Sequence, residues 1–200
     1  MNPLLMRRRL MMKPTGQVPP YDTEVEYLES TGTQYIDTGI TPHQDIAVEI
    51  KWKNPTSQNN KFLFGGGTST SDCIRAYIGN SAFWRFGGGS VSINTQNTIV
   101  RTATMDSAMV TINGTDYNYS GTVGTFSSST SIKIFTGANA TATIEARIYY
   151  FKIFVNGVLA LDLIPVRIGQ VGYMYDRVNG QIFGNAGTGD FIAGPDVIPT

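Results

Sequence analysis

The chain has 200 residues, with 15 Lys and Arg matched by 15 Asp and Glu, and only one cysteine and one histidine. One cysteine excludes an intrachain disulfide, one histidine excludes a histidine-rich metal site within the chain, and no apolar run is long enough for a helix to span a bilayer. The charge is uneven: residues 1–20 hold Arg7, Arg8, Arg9 and Lys13 without an acid, a charge of +4, so the remainder carries −4 and offers no basic platform for nucleic acid.

Residues 1–20 are rich in Met, Leu and Arg and then in Pro, at Pro14, Pro19 and Pro20. On a helical wheel Arg7, Arg8 and Arg9 spread among Leu4, Leu5, Leu10, Met11 and Met12, whereas a membrane-surface helix would segregate the two kinds. The arginines also break up any secretion signal, and no small-residue cleavage site follows, so export by the general secretory route is not expected. The expectation is a basic arm that orders against a partner, with the prolines as a stiff spacer.

From Tyr21 onward the sequence reads as strands and tight turns, with no sustained helical period. Glu24 to Glu29 and Thr33 to Gly39 form two short strands about a glycine turn. Asp45 to Lys53 alternates cleanly, with Ile46, Val48, Ile50 and Trp52 inward. Lys61 to Phe64, Cys73 to Ile78 and Ala82 to Phe86 are further strands, with a turn at Gly79-Asn80; Phe64-Gly-Gly-Gly and Phe86-Gly-Gly-Gly read as strand ends with permissive turns. Asn97 to Met105, Met109 to Ile112, Asp116 to Tyr119 and Ser131 to Phe135 follow. The centre of the fold is the hairpin from Thr143 to Val166 about Asn156-Gly157, a pair suited to positive φ at both positions. Alternation there places Ile148, Tyr150 and Phe154 in the core, and Pro165, lacking an amide donor, marks the end of the second arm. The expected fold is all-β, a two-sheet antiparallel jelly-roll sandwich over residues 21–200 behind the arm at 1–20.

Four blocks carry a family resemblance: Glu26-Tyr-Leu-Glu-Ser-Thr-Gly-Thr-Gln-Tyr-Ile-Asp-Thr-Gly39; Phe151-Lys-Ile-Phe-Val-Asn-Gly-Val-Leu159; Ile164-Pro-Val-Arg167; and Gly172-Tyr-Met-Tyr-Asp-Arg-Val-Asn-Gly180 with Gly187-Thr-Gly-Asp-Phe191. Over residues 24–195 the chain resembles the concanavalin A-like, laminin-G-like jelly-roll domains of virion proteins of gut bacteriophages and surface proteins of gut bacteria. The resemblance implies a non-enzymatic virion accessory protein, a head or tail decoration or fibre component. It would assemble in the host cytoplasm, join other virion proteins through residues 1–20 and form a homo-oligomer in the particle. Its domain is expected to bind host or mucosal glycans, without a cofactor. The alternative is a carbohydrate-binding module on a bacterial surface, and a weaker one a glycoside hydrolase or lyase, because this fold hosts all of these.

The candidate glycan contacts are Trp84, Arg85 and Tyr77, an aromatic ring stacking on a sugar beside polar groups; for Trp84 core packing is the favoured reading. Docking of the arm falls to Leu4, Leu5, Arg7, Arg8, Arg9, Leu10, Met11 and Met12. Glu24, Glu26 and Glu29 superficially resemble the paired carboxylates of glycosidases, but Glu29 lies an odd number of residues from Glu26 and points the other way. His43 follows Pro42 in a loop with no Ser or Cys motif beside it. Cys73 falls in a strand pattern and reads as packing. Asp37, Asp72, Asp176 and Asp190 form no dense calcium loop, and Asp176 and Asp190 are expected to bond neighbouring backbone amides.

Overall fold

Asn156 and Gly157 have φ of 51° and 73°, the left-handed pair that a tight hairpin turn requires. They join two eleven-residue strands at the middle of the fold. The computed structural model describes residues 18–79, 82–94 and 98–198. The arm residues Leu4 to Met12, and Asn80 of the Gly79-Asn80 turn, lie outside them.

Every regular element among the described residues is a strand. In chain order these are β1 (Thr23–Glu24), β2 (Leu28–Thr31), β3 (Ile36–Asp37), β4 (Ile46–Lys53), β5 (Lys61–Gly66) and β6 (Ile74–Ile78). Next come β7 (Phe83–Phe86), β8 (Gly89–Ser92), β9 (Val100–Met105), β10 (Met109–Ile112), β11 (Thr115–Asn118) and β12 (Lys133–Ile134). The chain closes with β13 (Glu145–Val155), β14 (Val158–Ile168), β15 (Val171–Asp176), β16 (Gln181–Phe183) and β17 (Ile192–Ala193). They make two antiparallel sheets. The larger has the order β11-β10-β9-β4-β13-β14-β15-β16, with β1, β2 and β17 attached beside it, and the smaller has the order β3-β12-β5-β6-β7-β8. The expected hairpin is therefore the central pair of the larger sheet.

The sheets pack face to face through aromatic side chains. Trp52 of β4 meets Trp84 of β7 with ring centroids 5.7 Å apart, and Phe64 of β5 meets Phe151 of β13 at 5.5 Å. All four are fully buried, and such contacts add to the large apolar area removed from water. In β4, Ile46, Val48, Ile50 and Trp52 point inward, as the alternation predicted. The described ends of the domain are tied together: Val25 bridges Asp196, the Val197 amide donates to the Glu24 carbonyl at 2.9 Å, and Arg167 makes a two-pronged ion pair with Asp196 at 2.9 Å.

Two expectations for the central hairpin need correction. Tyr150 and Phe154 are half-buried rather than core residues. Ile148 pairs with Trp52, but the next partner of Lys51 is Tyr150, so Tyr149 is an extra residue in β13. A β-bulge of this kind reverses the alternation beyond it. Ile144, Ala146 and Ile148 face the core before the bulge, and Phe151 and Ile153 after it. Pro165 does not end β14 either; the strand continues to Ile168 in register with β15. The Pro165 carbonyl accepts from the Val25 amide at 3.0 Å. Since N and C=O of one strand residue point the same way, its missing donor faces the side where β13 gives way to β1, not β15.

Candidate functional site

The outer face of the smaller sheet gathers the residues with the most to offer a ligand. In β6, Ile74, Ala76 and Ile78 are buried, so Arg75 and Tyr77 point away from the core. In β7, Trp84 and Phe86 are buried, so Phe83 and Arg85 point away. The register sets Tyr77 opposite Phe83 and Arg75 opposite Arg85. Tyr77 and Phe83 stack with centroids 4.8 Å apart and planes 20° from parallel. Phe62 adds a third ring at 4.9 Å from Tyr77.

Phe62 reaches this face because β5 carries a bulge. Phe62 pairs with Tyr77 and Phe64 with Ala76, which leaves Leu63 as the extra residue, so Leu63 and Phe64 are both buried while Phe62 turns outward. Asn60, with φ of 59°, places its side-chain oxygen where the Tyr77 hydroxyl donates to it at 2.5 Å. That bond fixes the middle ring of the ridge.

Arg75 and Arg85 flank the same aromatic ring, their guanidinium carbons 5.6 Å and 5.4 Å from the centre of Phe83. Arg85 also donates to the Thr70 carbonyl at 3.4 Å. The Nε atoms of both arginines are shielded from solvent and have no hydrogen-bond partner. Beside Arg75 lies a pocket of about 70 Å³ lined by Phe62, the glycines Gly65 to Gly67 and the segment from Gly137 to Asn139. Glycine is needed at two of these positions: a Cβ on Gly66 would lie 2.9 Å from the Ile132 backbone, and one on Gly67 would lie 2.7 Å from Cys73 Cα. Thr68, Asn139 and Thr141 also line the pocket, so hydroxyl and amide groups join Arg75 and the glycine backbone around it.

The sequence-based candidates divide. Tyr77 and Arg85 lie together on this ridge. Trp84 does not: it is fully buried, packed against Trp52 and edge-on to Phe64 at 5.7 Å, so it belongs to the core and has no face to offer a sugar. Phe62, Arg75 and Phe83 complete the ridge and were missed. The alternation of Ile74, Ala76 and Ile78 already marks Arg75 as outward, and Phe83 shares the face of Arg85; the outward turn of Phe62 depends on the bulge.

The carboxylates of the first strands do not form a unit. Glu24 belongs to β1, which pairs with β14, and Glu29 to β2, which pairs with β13 and β17. Glu29 accepts from Arg147 at 2.6 Å, and Glu24 accepts from the Tyr21 hydroxyl at 3.0 Å. Glu24 and Glu26 border a wide groove on the outer face of the larger sheet together with Lys51, Tyr149 and Tyr150. Burial, and next its hydrogen bond to Glu49, push the Tyr150 hydroxyl up to about 12, so it stays protonated at neutral pH.

The other single residues serve local structure. His43 Nδ1 accepts from the Asp45 amide at 3.3 Å. Asp72 accepts from the Ser69 amide at 2.8 Å, and Asp37 accepts from Ser131 at 2.5 Å and pairs with Lys133 at 3.4 Å. Burial raises the Asp37 carboxyl, but the Ser131 and Gly39 hydrogen bonds and the Lys133 charge together hold it below the usual range. Asp176 bonds backbone amides as expected, whereas Asp190 contributes its carbonyl, which accepts from Gln34 Nε2 at 3.0 Å. Among the described residues no three metal-ligating side chains cluster, and no helix is long and apolar enough to cross a membrane.

Cys73 is fully buried, and that burial pushes its thiol up from the ordinary value. A protonated thiol out of reach of solvent is a poor nucleophile. Iodoacetamide at neutral pH is expected to leave the native protein unmodified over the time in which it labels the denatured chain fully. Equal rates would place Cys73 at the surface.

No family model matches the chain, and no curated protein matches it.

Proposed function

We propose that this chain is a non-enzymatic virion protein whose β-sandwich, a concanavalin A-like jelly roll by its resemblance, binds glycans on the outer face of the smaller sheet. The observation that carries the glycan reading is the ridge of Phe62, Tyr77 and Phe83 flanked by Arg75 and Arg85. A pyranose ring has an apolar face that rests on aromatic carbon and a rim of hydroxyls that needs donors and acceptors. Three contiguous half-buried rings, with guanidinium groups beside them and a glycine-floored pocket adjoining, supply both. They also do so on rigid strands, which limits the ordering cost of binding.

The virion assignment rests on the resemblance of the four sequence blocks to virion proteins of gut bacteriophages. In this reading residues 1–20 attach the domain to other virion proteins. Leu4, Leu5, Leu10, Met11 and Met12 serve as apolar anchors, and Arg7, Arg8 and Arg9 meet acidic groups on the partner. Several copies would gather in one particle and multiply a weak single-site affinity for glycans.

An immobilised array of mucin-type and bacterial-surface glycans, probed with the full chain, tests the site. Binding to a subset of the array is expected, and Phe83→Ala should weaken it by about 1–3 kcal/mol, the loss of a central aromatic contact. Its melting temperature should change little, because the ring is half-exposed. Undiminished binding by Phe83→Ala, or no binding to any glycan by the intact chain, would remove the ridge from consideration.

A further inference from the structure

The charge at the ridge narrows the ligand beyond "a glycan". Arg75 and Arg85 are directly opposite each other on adjacent antiparallel strands, where like charges destabilise the sheet. Four basic side chains on other strands pair with carboxylates: Arg147 with Glu29, Arg167 with Asp196, Lys133 with Asp37 and Lys152 with Glu49. No carboxylate pairs with Arg75 or Arg85 among the described residues. Both instead lean on the single ring of Phe83 and keep a shielded Nε–H without an acceptor. The contact with the ring offsets part of the repulsion and leaves the donors unsatisfied.

Two arginines held on one ring with unspent donors form a receptor for an anion. The guanidinium is a planar fork that matches a carboxylate in two parallel hydrogen bonds. Resting on the assignment of the ridge to glycans, we infer that the ligand is an acidic saccharide whose carboxylate lies between Arg75 and Arg85 while a sugar ring rests on the Phe83–Tyr77–Phe62 ridge. A uronic-acid-containing polysaccharide has this chemistry. The bound carboxylate would cancel the cross-strand repulsion and accept hydrogen bonds from the guanidinium groups. The hydroxyls of a neutral sugar can accept from the guanidinium groups but leave the repulsion uncancelled.

The test uses the full chain with three oligosaccharides of equal length in calorimetry: an oligogalacturonate, its carboxyl-reduced neutral counterpart and a sulfated oligosaccharide. The acidic uronate is expected to bind at least ten-fold more tightly than the neutral form, and its affinity should fall several-fold between low and high salt. Arg75→Gln and Arg85→Gln should each abolish most of that preference. Their melting temperatures should be equal to or above that of the parent, because each removes one of two opposed like charges. Arg85→Lys, which keeps charge but not the fork, should recover only part of it. If the neutral oligosaccharide binds as tightly as the uronate and loses affinity in Phe83→Ala but not in the arginine variants, the ridge binds glycans and the charge assignment is wrong. Preference for the sulfated oligosaccharide over the uronate would overturn the carboxylate. Failure of all three to bind, with no glycan bound on the array either, would remove the ridge reading and the charge assignment together.

Discussion

Trp84→Ala is expected to lower the stability of the protein by about 4 kcal/mol, the middle of the range for removing a large aromatic from a packed core. Trp84 is fully buried: its ring lies between the two sheets, 5.7 Å from Trp52 and 5.7 Å from Phe64, and Phe64 in turn rests on Phe151. Deleting it opens a cavity where β4, β5, β7 and β13 meet, and rigid strands on both sides cannot collapse into it. The size of the loss is open to a direct comparison. The Trp84 indole N–H is buried without an acceptor, so Trp84→Phe removes an unsatisfied donor along with the larger ring. That variant should cost about 1–2 kcal/mol, since loss of volume and relief of the orphaned donor oppose each other. Urea unfolding of the three proteins, with an unchanged slope, measures both. A Trp84→Ala protein with parental stability would mean that the ring is not the junction of the two sheets.

The second large effect is expected at Asp176. Its carboxylate is fully buried and accepts from the Asp162 amide at 2.9 Å, the Val178 amide at 3.0 Å, the Asn179 amide at 3.2 Å and Asn179 Nδ2 at 2.6 Å. One side chain thus joins the central strand β14 to the turn that follows β15. Asp176→Ala would strip the acceptor from the Asp162 amide inside the sheet and from the amides of the turn, and unsatisfied buried donors are costly. A loss of about 3 kcal/mol is expected. Asp176→Asn retains one acceptor oxygen but presents an NH₂ group to donors, so it should recover less than half. Amide exchange adds a second readout: the turn at residues 177–180 should lose protection in both variants, while β4 and β9 keep theirs until global unfolding. A protein of parental stability with alanine at this position would show that the turn is held by the sheet alone.

How much of this was legible beforehand follows from the local rules involved. The strand at Ile46–Lys53 alternates without interruption, and its inward face came out as the pattern dictated. Asn156-Gly157 was readable as a turn because such a pair readily adopts positive φ, here 51° and 73°, a local preference that needs no partner. The all-β character followed from composition, and the two-sheet packing from strands that are apolar on one or both faces. The buried, unreactive surroundings of Cys73 also lay within that pattern.

The bulges were not legible, and they decided the site. An extra residue is a property of two paired strands, not of one, because it appears only when one strand's length is matched against another's. Tyr149 in β13 moved Tyr150 out of the core and brought Phe151 in. Leu63 in β5 turned Phe62 outward to complete the ridge. Register across the smaller sheet acted in the same way. A two-residue turn centred on Gly79-Asn80 would pair Tyr77 with Ala82 and bring Trp84 to the same face as Tyr77. The observed pairing of Tyr77 with Phe83 is offset by one residue, which sends Trp84 into the core and Arg85 to the surface. The amino-acid sequence by itself therefore determined the class of fold, the turns and the supply of aromatic and guanidinium side chains. Only the tertiary structure decided which of them share a face, because a side chain's direction in a sheet depends on a one-residue register that is set by packing between strands distant in the chain.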